Sequence, residues 1–226
     1  RRGAVVTGGG SRPAAPGPVI VFYISGHAFG HASRCIEVIN ALLAAGARAQ
    51  VVVRTSAARW LFDVTVRGPI EWHPVVCDTG VEQRDSLNLD EARTIEHAAR
   101  FMAGLDDLAA AEAAFLRQRG AALVVGDIPP LAFRAAHLAG LPAVALGNFT
   151  WDWIYAGYPE ALASAPDLVP AIRRAYSHAS LALRLPMHGG FDDWHSPIVD
   201  LPFVARHSAR EPGEVRARLG VPQGRR

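Results

Sequence analysis

The chain contains no lysine: all 23 of its basic residues are arginine. Schiff-base chemistry on a lysine amine is excluded, and so is the lysine-dependent phosphate grip of a P-loop. Cysteine is almost as scarce. Cys35 and Cys77 sit in apolar runs without CxxC spacing, which argues against thiolate zinc modules and disulfide scaffolds. Two buried free thiols in a reducing, cytoplasmic compartment are expected. No apolar run approaches the roughly twenty residues of a membrane span, so no integral membrane contact is expected. Charge is sparse and balanced, at 19% charged residues and a net of +2, leaving no electrostatic case for nucleic acid. The opening "RRGAVVTGGGSRPAAPGP" lacks the hydrophobic region of a signal peptide and reads as a disordered leader over residues 1–18.

What is present is alternation. "VIVFYIS" (19–25) is a short apolar run rich in β-branched and aromatic residues, as suits a buried parallel strand. "ASRCIEVINALLAAG" (32–46) sets Ile36, Ile39, Leu42 and Leu43 on one helical face and ends in a glycine. Further strands are predicted at 49–55, 70–76, 122–127, 143–148, 181–187 and 198–204. Helices are predicted at 57–64, at 89–119 with a break near Gly104, and at 130–140, 150–158, 168–180 and 211–221. Such alternation implies an α/β, Rossmann-like parallel sheet with helices on both faces, formed as one domain over residues 19–221. Ligands of such sheets bind at the carboxyl ends of the strands.

At the first strand-to-helix turn stands Gly26-His27-Ala28-Phe29-Gly30-His31. Glycines there admit unusual backbone and a close ligand, and a helix start offers unpaired N–H groups. The spacing is not GxGxxG, and the second strand ends in Arg54 rather than an acid, which leaves only an NADP variant of dinucleotide binding. The four-residue interval between the histidines suggests zinc, but glycine inside it argues for a loop. A histidine at this place can act as a general base if a carboxylate orients it. Asp127, at the end of "ALVVGD", lies on the same rim; it either orients that histidine or caps the next helix. "GNFTWDWIYAGY" (147–158) is rich in aromatics. Trp151, Trp153 and Tyr155 either stack on a sugar or base or pack in the core, while Asn148, Thr150 and Asp152 supply hydrogen bonds. "CDTG" (77–80) echoes aspartic proteases, whose chemistry needs two such aspartates in a β-rich fold; one copy reads as coincidence.

Three stretches together carry a resemblance: "SGHAFGHASRCIEVINALL", "CDTGVEQRDSLNLD" and "VVGDIPPLAFRAAHLAGLPAVALGNFTWDWIYAGY". They resemble the amino-terminal half of GT-B glycosyltransferases, above all the glycosyltransferase-like domain ahead of the sugar kinase in plant L-arabinokinases and its bacterial stand-alone relatives. The GH-x-x-GH-x-x-R loop with NF-[ST]-WD-x-IY is the specific part, and the likeness runs from Val19 to Val221. The resemblance implies an acceptor-binding domain working with a second domain that holds a nucleotide-sugar, usually UDP-linked, as substrate and without cofactor or metal. It implies His31, directly before the first helix, as catalytic base, with Asp127 as its partner. Acceptor contacts would come from Gly26, His27, Gly30, Arg34, Asn148, Thr150, Trp151, Asp152 and Tyr155. Residues 222–226 would begin the connection to a donor domain that this chain lacks, so sugar transfer is expected only with that domain, missing or separately encoded. The alternative is a carbohydrate-binding or regulatory module.

Overall fold

The computed structural model describes residues 17–206, 208 and 210–222; residues 1–16 of the predicted 1–18 leader and the last four residues of the 222–226 connection lie outside the described residues. β1 (Val19–Ile24) is an interior strand of the sheet. Its unbroken apolar run is what a strand covered on both faces requires. Successive side chains divide between two cores: Val21 and Tyr23 enter one, Phe22 and Ile24 the other. β2 (Gln50–Thr55) and β3 (Glu71–Pro74) extend the sheet to one side. β4 (Ala121–Asp127), β5 (Ala143–Gly147), β6 (Leu181–Arg184) and β7 (Ile198–Asp200) extend it to the other. The order is β3-β2-β1-β4-β5-β6-β7 and every pairing is parallel.

α1 (Gly30–Ala44) and α2 (Arg59–Thr65) cover one face, burying Cys35, Ile36, Ile39, Leu61 and Phe62 against Phe22, Ile24 and Val53. The opposite face carries α3 (Glu91–Ala103), α4 (Leu105–Gln118), α5 (Pro130–Ala139), α6 (Trp151–Ala156), the single turn α7 (Pro159–Leu162) and α8 (Leu168–Tyr176). α9 (Pro212–Arg218) follows the sheet. Local chemistry sets these boundaries. Asp90 caps α3 by accepting from the Arg93 N–H, and Gly104 interrupts the 89–119 stretch where the break was predicted. Pro130 opens α5, and Gly140, with φ +73°, closes it.

Three predicted strands are too long: β3 covers only 71–74 of the predicted 70–76. β6 stops at Arg184 instead of 187 and β7 at Asp200 instead of 204. Pro186 and Pro202 lack the N–H that would continue a ladder, and β7 is an edge strand with a neighbour on one side only.

Candidate functional site

The strand order decides where a ligand can lie. The chain passes from β1 to β2 on one side, and from β3 crosses back to β4 on the other, so the order in which strands are added reverses between β1 and β4. The crevice at the carboxyl ends of those two strands is where open α/β sheets bind ligands. Ile24 lies in register with Asp127 at that edge. The chain leaves β1 and enters α1 at Gly30, so His31 is the second residue of the helix, not the residue before it. Gly26 has a packing reason: a Cβ there would fall 1.9 Å from Ser56 Oγ, in the turn after β2. Gly30 faces open space.

Asp127 is the hub. His31 Nδ1 lies 2.9 Å from its Oδ1. Arg34 donates through Nε to Oδ2 at 2.6 Å and through Nη2 to Oδ1, and Cys35 Sγ donates to Oδ2 at 3.1 Å. Positions 31, 34 and 35 fall at helical spacing, so α1 presents all three side chains on one face. The helix-capping alternative for Asp127 is excluded, since α5 has no side-chain cap and its N-cap position is Pro129. Burial alone would raise the Asp127 pKa, but the Arg34 charge, then His31 and the hydrogen bonds from both, hold it down at about 2. The carboxylate is therefore ionised and only accepts. A hydrogen bond from His31 to it needs the hydrogen on Nδ1, and in the neutral Nδ1–H tautomer Nε2 keeps its lone pair. Arg34 Nη2 is also 3.0 Å from His31 Nδ1; in that tautomer two donors converge on one oxygen.

Arg34, expected among the acceptor contacts, is instead turned inward. Its Nη1 donates to Asn148 Oδ1 at 2.6 Å, so one guanidinium ties α1 to the ends of β4 and β5. The acceptor oxygen of Asn148 is spent on the same contact.

The aromatic segment also needs correcting. Trp151 and Tyr155 are each only 2% exposed and do not wall an open cleft. They stack on one another at 5.7 Å, and Trp151 lies 6.0 Å from the rings of both His27 and His31. They form a floor beneath the histidines. The Tyr155 hydroxyl donates to the Gly80 carbonyl at 2.9 Å, and the His27 ring lies so close to Gly80 that a Cβ there would fall 2.6 Å from it. Burial, then the neighbouring His31, lowers the His27 pKa. Thr150 is buried with no hydrogen-bond partner for its hydroxyl among the described residues. Asp152 points away and accepts from Arg173 Nε at 3.0 Å. Phe29 and Trp60 are 58% and 56% exposed and meet edge-to-face at 5.9 Å, and Trp153 in α6 is 50% exposed. Phe29 stands inside the Gly-His turn, where residue type alone does not show that its ring faces outward.

Asp78 was the larger omission. It belongs to the "CDTG" set aside as coincidence, yet it is buried at the same rim. Ser25 Oγ donates to its Oδ1 and Trp151 Nε1 to its Oδ2, both at 2.9 Å. Burial raises its pKa, and nearby Asp127 adds to this, against the opposing pull of His31, Ser25 and Trp151. The site therefore holds two unlike carboxyls, one clamped by a guanidinium and one held by neutral donors. Only the fold, which brings residues 25, 78 and 151 together, reveals the second.

Arg54, the residue that kept an NADP reading open, is committed to the interior. It bonds Glu112 through both Nε, at 2.9 Å to Oε2, and Nη2; Tyr23 donates to the same Oε2 at 2.7 Å. Its guanidinium also lies 4.2 Å from the Phe115 ring centroid. It is not free to meet a 2′-phosphate. Both cysteines are buried free thiols. Among the described residues no group of three or more His, Cys, Asp or Glu is placed to hold a metal ion, and no helix is long and apolar enough to cross a membrane.

No family model matches the chain. It is 34% identical over 206 residues to an L-arabinokinase of Arabidopsis thaliana, a match covering 90% of this chain and 20% of that protein. Among solved structures it resembles Phytolacca americana UGT2 complexed with UDP-2fluoro-glucose and pterostilbene, at TM-score 0.53 and 11% identity, covering 86% of this chain and 56% of that one. It also resembles a UDP-glucosyltransferase from Polygonum tinctorium capable of glucosylating indoxyl, at TM-score 0.52 and 13% identity, covering 89% and 56%. The chain thus spans about a fifth of its curated relative and about half of these enzymes.

Proposed function

Because the chain has the fold of part of the GT-B glycosyltransferases and matches a segment of L-arabinokinase along nearly all its length, we propose that it is the acceptor-binding half of an inverting glycosyltransferase. The donor is a nucleotide-sugar, UDP-linked as in the Phytolacca structure, held by a second domain or a partner chain. One observation carries the reading: His31 Nδ1 lies 2.9 Å from an ionised Asp127 at the strand-order reversal, so that with its hydrogen on Nδ1 the ring keeps the Nε2 lone pair for a substrate. In the reaction Nε2 takes the proton of an acceptor hydroxyl, and that oxygen attacks the anomeric carbon from the face opposite the leaving group. The bond to phosphate breaks, and the nucleoside diphosphate leaves with the electron pair. Asp127 holds the tautomer and steadies the imidazolium.

A second reading has its own support. Arg34 already compensates the Asp127 charge, so the imidazolium gains less from that carboxylate than in an unshared pair. This favours a carbohydrate-binding or regulatory module with an inherited but muted dyad.

UDP release from UDP-glucose, measured for the 226-residue chain alone and with its donor-binding part supplied, separates the two. The enzyme reading expects no turnover alone, turnover with the donor part, and a fall of about 10²–10⁴-fold in His31→Ala with acceptor binding kept. Robust turnover by the chain alone contradicts the half-site assignment. Unchanged turnover in His31→Ala removes the base, and lost acceptor binding in that variant supports the module.

A further inference from the structure

We infer that the chain carries a second carbohydrate site, apart from the His31 crevice, in the cavity between α6, α8 and the connection from β6 to β7. This cavity measures about 350 Å³ and is lined by Asp152, Arg173, Tyr176, Phe191, Asp193 and Trp194, with Ser177 and His195. Its volume lies at the small end of ligand pockets, enough for a single sugar ring. None of its lining side chains bonds to His31 or Asp127.

The lining selects the ligand. Arg173 reaches Asp152 Oδ2 through Nε at 3.0 Å and Asp193 Oδ2 through Nη1 at 2.9 Å. Two carboxylates against one guanidinium leave the rim acidic, which disfavours phosphates and other anions. The same trio places acceptors and donors side by side, and a hydroxyl is the group that uses both at once. Beneath them Phe191 and Tyr176 are buried, and Trp194 is partly open, packed 5.3 Å from Phe191 and 5.4 Å from Tyr176. The Trp194 indole N–H is already spent on Ser196 Oγ at 2.7 Å, so what it offers a ligand is an apolar face. An apolar floor under a ring of hydroxyl partners fits a neutral pyranose.

The connection is shaped for this. Phe191 holds φ +73° and Met187 φ +57°, a left-handed backbone that non-glycine residues adopt at a cost of about 1–3 kcal/mol each. Gly190 can have no side chain, since a Cβ would lie 2.1 Å from Thr150 Oγ1. The loop is bent so that Phe191 turns into the cavity floor. Asp152, expected at the acceptor crevice, belongs here. The site does not depend on the catalytic reading, because it needs only binding.

Saturation-transfer NMR of the full chain with methyl α-D-glucopyranoside and methyl β-D-xylopyranoside tests it, with putrescine as a cationic probe. Saturable binding of a glycoside is expected, weakened about tenfold by Asp193→Asn, as for loss of a charged hydrogen-bond partner. Trp194→Ala should weaken it at least as much, and His31→Ala should leave it unchanged. Asp193 is exposed, so its variant reports even if Trp194→Ala fails to fold. Binding of neither glycoside, binding of putrescine instead, or loss through His31→Ala with Asp193→Asn unaffected would overturn the assignment.

Discussion

Replacing Asp127 by asparagine should be the most costly single change at the crevice, and the structure gives the size. The Asp127 carboxylate is wholly buried and Arg34 is largely so, with 14% of its side chain exposed. Removing one member of such a pair leaves a buried charge uncompensated, at about 3–5 kcal/mol. Asp127→Asn should therefore lower unfolding stability by that amount at neutral pH. Arg34→Met in the same chain should recover at least half of it, because the stranded charge is gone. Acid titration gives an independent check. A carboxyl held down at about 2 against an ordinary 3.8 contributes stability that is complete above the unfolded value and lost as pH falls through the folded one. The wild type should thus lose about 2 kcal/mol between pH 4 and pH 2 that Asp127→Asn does not lose. Urea unfolding followed by tryptophan fluorescence measures both quantities. If the single variant lies within about 1 kcal/mol of wild type, or the double variant is no more stable than the single, the ionised hub is wrong.

Two further predictions concern the frame around the site. Glu112→Ala strands Arg54 behind β2 and should cost about 3–5 kcal/mol in urea unfolding, whereas Tyr23→Phe, which removes one hydrogen bond, should cost about 1 kcal/mol. Gly26→Ala should cost about 1–3 kcal/mol through its clash with Ser56 Oγ, and Ser56→Gly should restore most of the loss; an unchanged melting temperature in Gly26→Ala would refute that tight approach.

The sheet and its helices could be read from the chain because their signals are local. A buried strand such as 19–24 announces itself by an unbroken apolar run, and the Gly104 break and the Gly140 stop are single-residue events. The pairing of His31 with Asp127 was accessible too, since a parallel sheet puts every strand end on one rim. What failed was direction. Residue type could not say that Trp151 and Tyr155 face inward, that Arg34 bends back onto Asp127, or that Asp152 turns to Arg173. Asp78 failed for a related reason: its partners Ser25 and Trp151 lie 53 and 73 residues away, and a local motif search found only an accidental likeness.

The Arg34 side chain ties helix α1 to the ends of β4 and β5, whose contacting residues lie 93 and 114 positions further along the chain. For anyone redesigning the crevice, this sets what can be altered piecemeal. Positions 34, 127 and 148 form a keystone and must be changed as a set or left alone. Phe29, Trp60 and Trp153, which project outward and bear no such tension, are the places to graft new selectivity.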